Sequence, residues 1–149
     1  MGRLDQDLAA HTLIAVDTAP FIYFWEHHSR YFHLSEQLFQ YLNDSQVQGV
    51  TSVITLIEAC ILPQREGRQD LVQAYERALL YSQQIRTLPI HVAVARQAIL
   101  LRAQYNIHVP DALQIATGIE VGASLFVTND RRLTSVEGIE ILLLDDYAE

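Results

Sequence analysis

The chain has 149 residues, half of them apolar, which is enough to build one domain with a substantial core. Its net charge of −8 opposes nonspecific attraction to nucleic acid or anionic lipid, so a phosphate-bearing substrate must be recruited by local groups. The ten basic residues are all arginines and Cys60 is the only cysteine, which excludes a Walker P-loop, Schiff-base chemistry, an internal disulfide and a multi-thiolate zinc site.

The N-terminal part of the chain predicts a strand followed by a helix. Residues 1–11 are mostly polar, and we expect them to form a loosely held tail. Residues 12–16 are an apolar run typical of a buried strand, and Asp17 stands at its end. Pro20 then suits the first turn of an aromatic-rich helix over residues 21–25.

The next part of the chain predicts helix, strand and helix. Leucines at helical spacing indicate a helix over residues 29–44, and residues 48–52 are typical of a short strand. Ser52 suits the cap of a further helix, which we expect to span residues 53–62 and to end at Pro63.

Two more amphipathic helices are predicted before the C-terminal third, separated by an extended or turn-like segment around Pro89. The inner face of the first helix, which begins at Asp70, is predicted to consist of Leu71, Tyr75, Ala78 and Leu79. The apolar face of the second helix is predicted to consist of Val92, Ala95, Ile99 and Ala103.

The stretch from Pro110 to Asp130 predicts a helix and a buried strand with an acid at each end. Pro110 suits the opening of a helix, so Asp111 lies in its first turn, where the helix dipole favours the carboxylate. The apolar run over residues 125–127 is typical of a buried strand. Three polar residues follow at its carboxyl end: Thr128, Asn129 and Asp130.

A last apolar strand is predicted over residues 139–144. Strands that alternate with helices are typical of a mostly parallel sheet covered by helices, so the predicted fold class is α/β. No apolar run is long enough to cross a bilayer, and the first residues lack the features of a secretory signal. We therefore expect a single cytoplasmic domain over residues 1–149.

Four acids stand at or beside the end of an element bordered by apolar residues: Asp17, Glu58, Asp111 and Asp130. Open α/β sheets bind ligands beyond the carboxyl ends of their strands, so we expect the four carboxylates to share one pocket. Carboxylates that share one pocket repel one another. In a chain without lysine, a hard divalent cation, Mg²⁺ or Mn²⁺, is the group expected to neutralise their charge. Such a pocket suits phosphodiester hydrolysis.

Two arginines, Arg131 and Arg132, follow the last of these acids and are placed to grip a flanking phosphate. Each residue also has a simpler interpretation. Asp111 and Asp130 are common as a helix-start residue and a turn residue, and surface arginines are commonly solvated.

Four segments in chain order resemble the acidic motifs of PIN-domain ribonucleases, including VapC-like toxins of toxin-antitoxin pairs. They are Val16-Asp-Thr-Ala-Pro-Phe-Ile-Tyr23, Thr51-Ser-Val-Ile-Thr-Leu-Ile-Glu58, Pro110-Asp-Ala-Leu-Gln-Ile-Ala-Thr117 and Phe126-Val-Thr-Asn-Asp130. The resemblance implies a three-layer PIN-like fold, with a central mostly parallel sheet flanked by helices, and metal-dependent cleavage of RNA.

By the same resemblance the four acids match catalytic, metal-binding residues, with Mg²⁺ or Mn²⁺ as the cofactor. Thr128 and Asn129 match the polar residues beside the last acid. The expected partners are an RNA substrate, a cognate antitoxin and a second copy of the chain. Gly118 stands where alanine is more usual.

Two other functions use the same pocket. In one, a non-catalytic PIN-like module holds a cation or a partner's arginines for assembly. In the other, a metal phosphatase acts on small phosphate esters. RNA cleavage separates both from a ribonuclease.

Overall fold

The computed structural model describes residues 2–149, which form a sheet of five strands with helices on both faces. The strands are β1 (Leu13–Val16), β2 (Gln48–Ser52), β3 (Ile85–Leu88), β4 (Leu125–Thr128) and β5 (Glu140–Leu143). The helices are α1 (Arg3–Leu8), α2 (Thr18–Trp25), α3 (Phe32–Asp44), α4 (Val53–Arg65), α5 (Gln69–Leu80), α6 (Val92–Tyr105) and α7 (Val109–Glu120), with 3-10 helices at Arg131–Ser135 and Leu144–Tyr147.

The strand order is β3-β2-β1-β4-β5, and every neighbouring pair is parallel. Side chains alternate across β1, so Ala15 joins the core under α6 and α7, while Ile14 and Val16 join the core under α1 and α3. The predicted α/β class with a central parallel sheet is therefore confirmed. No helix among residues 2–149 has the length and apolar composition needed to cross a membrane.

Residues 3–8 form helix α1, which corrects the prediction of a loosely held tail for that part of residues 1–11, while Met1 lies outside the described residues. Leu4 and Leu8 are 2% and 0% exposed and belong to the core that also contains Leu38 of α3. Two leucines at i and i+4 give α1 an apolar face, but the polar residues around them made the segment look solvated. The prediction followed average polarity where spacing was the better signal.

The buried face of α6 also differs from the prediction. Val94, Ala98 and Leu101 are buried, whereas Val92 and Ile99 are each 65% exposed. Because α6 carries apolar residues on several faces, periodicity alone does not select the one that packs against the sheet.

Two smaller differences lie in α4 and α5. Pro63 is inside α4, which ends at Arg65, because a proline in the last turn removes only one intrahelical hydrogen bond. In α5 the buried face consists of Val72, Tyr75 and Leu79, so Leu71 and Ala78 are less buried than predicted.

Gly118 allows α7 to lie close over β1. A Cβ at Gly118 would stand 2.8 Å from the Cβ of Ala15 and 3.3 Å from Cδ1 of Ile139. The Ala15 Cβ is fixed to the strand backbone and is unable to move aside. This close approach holds the N-terminal turn of α7, with Asp111, near the carboxyl end of the sheet.

We expect Gly118→Ala to lower the free energy of unfolding by about 1–3 kcal/mol, because the added methyl overlaps a rigid neighbour. Urea denaturation measures the loss. The matched control is the same substitution in an Ala15→Gly background, where the clash partner is absent and the loss should be smaller. An equal loss in both backgrounds would contradict the close-approach explanation.

Candidate functional site

A cleft of about 520 Å³ opens at the carboxyl edge of the sheet, and all four predicted acids line it. Asp17 follows β1, Asp130 follows β4, Asp111 lies in the first turn of α7, and Glu58 lies in α4. The sheet order explains this convergence, because β1 is flanked by β2, which leads into α4, and by β4.

The carboxylate of Asp17 forms the buried floor of the cleft. Its Oδ1 accepts a hydrogen bond from the backbone N–H of Thr18 at 2.8 Å, and its Oδ2 accepts one from the hydroxyl of Thr128 at 2.7 Å. Burial raises the pKa of Asp17 to about 6 against the pull of these hydrogen bonds, and the negative charges of Asp111 and Glu58 raise it further. The site therefore holds more negative charge than it balances.

Asp111 and Asp130 respond differently to the same cleft. Burial and the charge of Asp130 raise the pKa of Asp111, which is opposite in direction to the effect that we expected from the helix dipole. Arg132 lowers the pKa of Asp130 by hydrogen bonding to it. His108 is the other basic neighbour, with Nδ1 lying 3.8 Å from Oδ2 of Asp111.

Glu58 faces solvent at the rim of the cleft. The hydroxyl of Thr18 donates to its Oε1 at 2.7 Å. Ser52 caps α4 as predicted, since its hydroxyl oxygen accepts a hydrogen bond from the backbone N–H of Ile54 at 3.0 Å.

Gln114 is the residue of the site that the sequence analysis missed. Its side chain is buried, and its Nε2 donates to the hydroxyl of Thr55 at 2.8 Å and to the hydroxyl of Thr18 at 3.1 Å. The same nitrogen lies 3.4 Å from Oδ1 of Asp17. A polar residue inside the apolar stripe of α7 was the available signal, because a buried amide needs partners.

The amide of Gln114 has one favourable orientation. The hydroxyl of Ser52 donates to its Oε1 at 2.6 Å. The reverse orientation would point Oε1 at the carboxylate of Asp17, with no proton between two acceptors. The hydrogen bonds of Gln114 and Thr18 therefore run toward Asp17 and Glu58, so the polar groups beneath the cleft present donors to its acids.

Thr128 and Asn129 contact neighbouring elements of the protein. Thr128 is fully buried and supports Asp17, and its hydroxyl also accepts from the backbone N–H of Asp130. Asn129 accepts from the backbone N–H of Asp145 at 2.8 Å and donates to the hydroxyl of Tyr23 at 3.0 Å. Contact of these two residues with a substrate stays a prediction.

The two arginines are both engaged by acids of the same chain. Nη2 of Arg131 lies 3.5 Å from Asp145 and 3.3 Å from Asp146, while Arg132 pairs with Asp130. Both side chains are about two-thirds exposed at the rim of the cleft. A phosphate that binds either arginine competes with these carboxylates for its N–H donors.

The donor chemistry of the cleft fits a hard divalent cation, since carboxylate oxygens are the ligands that Mg²⁺ and Mn²⁺ prefer. The raised pKa values of Asp17 and Asp111 agree, because they arise partly from repulsion between the acids. Within residues 2–149, however, no three His, Cys, Asp or Glu side chains are grouped closely enough to hold one metal ion. The acids share a cleft without forming a finished ligand cluster.

Replacing Asp17 by asparagine should stabilise the protein at neutral pH. The pKa of Asp17 is about 6 in the folded protein, above the ordinary value of 3.8. Protonated Asp17 therefore makes its full contribution to stability below pH 3.8, and this contribution is lost as the pH rises through 6. We expect the free energy of unfolding of Asp17→Asn to exceed that of wild type by about 2–3 kcal/mol at pH 7.5 and to equal it near pH 4. Urea denaturation in EDTA measures both, and a pH-independent difference would contradict burial of the charge.

Solved structures of toxin-antitoxin proteins share this fold. A toxin-antitoxin complex from Klebsiella pneumoniae aligns with a TM-score of 0.68 and 19% identity, covering 88% of this chain and 97% of that one. VapC20 from Mycobacterium tuberculosis, described as a sarcin-ricin loop cleaving toxin, aligns with a TM-score of 0.68 and 17% identity over 85% of this chain and 97% of its own. DNA-bound VapBC from Salmonella typhimurium aligns with a TM-score of 0.68 and 18% identity, covering 88% of this chain and 97% of that one.

No curated protein sequence matches the chain significantly. A family model does match it, and the description of that model is "PIN domain". The match covers residues 14–139, which include most of β1, all of β2, β3 and β4, and all four acids of the cleft, and it ends just before β5. The chain therefore belongs to the PIN domain family.

Proposed function

We propose that the protein is a divalent-cation-dependent endoribonuclease that hydrolyses RNA phosphodiester bonds. The observation that carries the proposal is the convergence of Asp17, Glu58, Asp111 and Asp130 in one cleft whose negative charge is only partly balanced. The fold shared with a toxin described as cleaving the sarcin-ricin loop supports RNA as the substrate.

The four acids are the residues that would hold the cation. When bound, a divalent cation lowers the pKa of a coordinated water and neutralises charge that develops on the phosphate. Asp17 supplies a fixed carboxylate, because hydrogen bonds from Thr18 and Thr128 set the position of its two oxygens. Glu58 is exposed and free of tight packing, so it is able to adjust as substrate enters.

Arg131 and Arg132 are placed to bind phosphates that flank the scissile bond. Both line the rim of the cleft with mostly exposed side chains. Guanidinium groups bind phosphate oxygens in pairs, as they bind carboxylates. An arginine at the rim thus gives an acidic chain a local contact for RNA.

We also propose that the chain is the toxin of a toxin-antitoxin pair and that it has an antitoxin partner. The structures that share its fold include toxin-antitoxin complexes. Next to Glu58, α4 exposes Ile57, Ile61 and Leu62, which are 50%, 48% and 53% exposed. An apolar segment of a partner covering these residues would lie beside the cleft.

A different face, formed by α6 and the start of α7, supports the predicted pairing with a second copy of the chain. In α6, Val92, Ile99 and Leu100 are each more than 60% exposed, and Val109 at the start of α7 is 56% exposed. Apolar side chains grouped in this way are more typical of an interface than of a solvated surface.

Purified protein should cleave single-stranded or structured RNA when Mg²⁺ or Mn²⁺ is added and should be inactive in EDTA. Asp17→Asn and Asp111→Asn should each lower cleavage about 100-fold or more, because each removes a carboxylate that would hold the cation. Gel analysis of a labelled RNA measures the rate, and circular dichroism checks folding.

Asp70→Asn is the matched control, since Asp70 is an exposed aspartate in the first turn of α5. It should cleave like wild type. Equal cleavage by wild type and both cleft variants would overturn the proposal. Turnover of p-nitrophenyl phosphate without any RNA cleavage would identify a phosphatase instead.

Induced expression of the chain in a bacterial host should arrest growth, and expression of Asp111→Asn at the same level should not, because the arrest depends on RNA cleavage. Co-expression of a small DNA-binding protein encoded beside this chain should restore growth. Normal growth of cells that contain the active enzyme would show that the protein is a ribonuclease but not a toxin.

A further inference from the structure

Arg132 grips both carboxylate oxygens of Asp130. Its Nε lies 2.9 Å from Oδ1 and 3.2 Å from Oδ2, and its Nη2 lies 2.5 Å from Oδ2. The backbone N–H of Arg132 also donates to Oδ1 at 3.0 Å. This set of hydrogen bonds occupies the oxygens through which Asp130 would reach any other positive group.

Arg132 is the one arginine within residues 2–149 that pairs with a cleft acid. Arg30 pairs with Asp145, and Arg131 pairs with Asp145 and Asp146, outside the acid cluster. The charge of Arg132 also lowers the pKa of Asp111, which burial and Asp130 raise. A positive group already balances the acids at the position where a cation would act.

The arrangement is suited to exchange. Arg132 and Asp130 are two residues apart at the start of a 3-10 helix, and the arginine side chain is 64% exposed. An exposed ion pair of this kind contributes little to the stability of a fold, so breaking it leaves the fold intact. Arg132 also lines a second pocket, shared with Tyr105, Asn106 and His108.

We propose that Arg132 is an internal competitor of the divalent cation for Asp130 and that cation binding releases its guanidinium to bind RNA phosphate. The inference rests on the proposed function, since it assumes that the cleft takes a cation. It assigns Arg132 two successive partners, first a carboxylate of its own chain and then a phosphate of the substrate. Cation binding and phosphate binding are thereby coupled through one side chain.

Calorimetric titration of the EDTA-treated protein with MnCl₂ at fixed ionic strength tests the competition. Arg132→Ala should bind Mn²⁺ about five- to tenfold more tightly than wild type, because the competitor is gone. Arg131→Ala removes the same charge from the same rim without freeing Asp130, and it should change the affinity much less. Arg132→Ala binding no more tightly than Arg131→Ala would overturn the inference.

Substitution of Asp130 provides a second test of the competition. In an Asp130→Asn background, Arg132→Ala should change Mn²⁺ affinity no more than Arg131→Ala does, because there is no carboxylate left to compete for. A gain that persists at full size in that background would show a general effect of charge and would overturn the inference.

RNA cleavage at saturating Mn²⁺ supplies a readout on the phosphate side. Arg132→Ala should raise KM for RNA several-fold while kcat changes little, although it binds the cation more tightly. An unchanged KM would overturn the release of Arg132 to the substrate. Absence of Mn²⁺ binding by wild type and by every variant would overturn the proposed function itself, whereas binding with equal affinities would overturn this inference alone.

Discussion

The buried carboxylate of Asp17 is the constraint on which the site depends. It lies at the carboxyl end of the central strand β1, where neighbouring parallel strands deliver their last residues to the same edge. Burying a carboxylate is unfavourable unless hydrogen bonds compensate it, and three elements supply donors: Thr18 of α2, Thr128 of β4 and Gln114 of α7. The raised pKa shows that these donors leave part of the burial energy unbalanced.

The acids of the cleft therefore divide into a fixed floor and an adjustable rim. Asp17 and the donors around it are buried, and the amide of Gln114 has its orientation set by Ser52 on one side and Thr55 on the other. Glu58 is exposed, and the partner of Asp130 is a flexible arginine. A preorganised floor with a movable rim allows a cation and a phosphate to enter without reorganising the core.

The sequence predicted the parts of this structure that depend on local pattern. The apolar runs predicted β1, β4 and β5, whereas β3 was expected only as an extended or turn-like segment. The acids beside the strands converge because parallel strands end at one edge. Which side of α6 is buried depends on the sheet beneath it, so the apolar residues Val92 and Ile99 were assigned to the wrong face. The roles of Gln114 and Arg132 depend on partners that spacing does not reveal, namely four polar groups from other elements and the geometry of the turn after β4.

The net negative charge of the chain determines how the arginine–carboxylate pairs at the rim of the cleft affect anion binding. A chain with a net charge of −8 gains nothing from its overall field when it approaches RNA, so its affinity must come from a few local contacts. Arg131 and Arg132 line this rim, and each is already paired with a carboxylate of the same chain. Such pairs restrain the arginines from binding anions indiscriminately, because a phosphate competes with a carboxylate of the chain for each guanidinium. Under the proposed function, selectivity for RNA would arise where several phosphates compete for these arginines together, next to acids whose charge a cation balances.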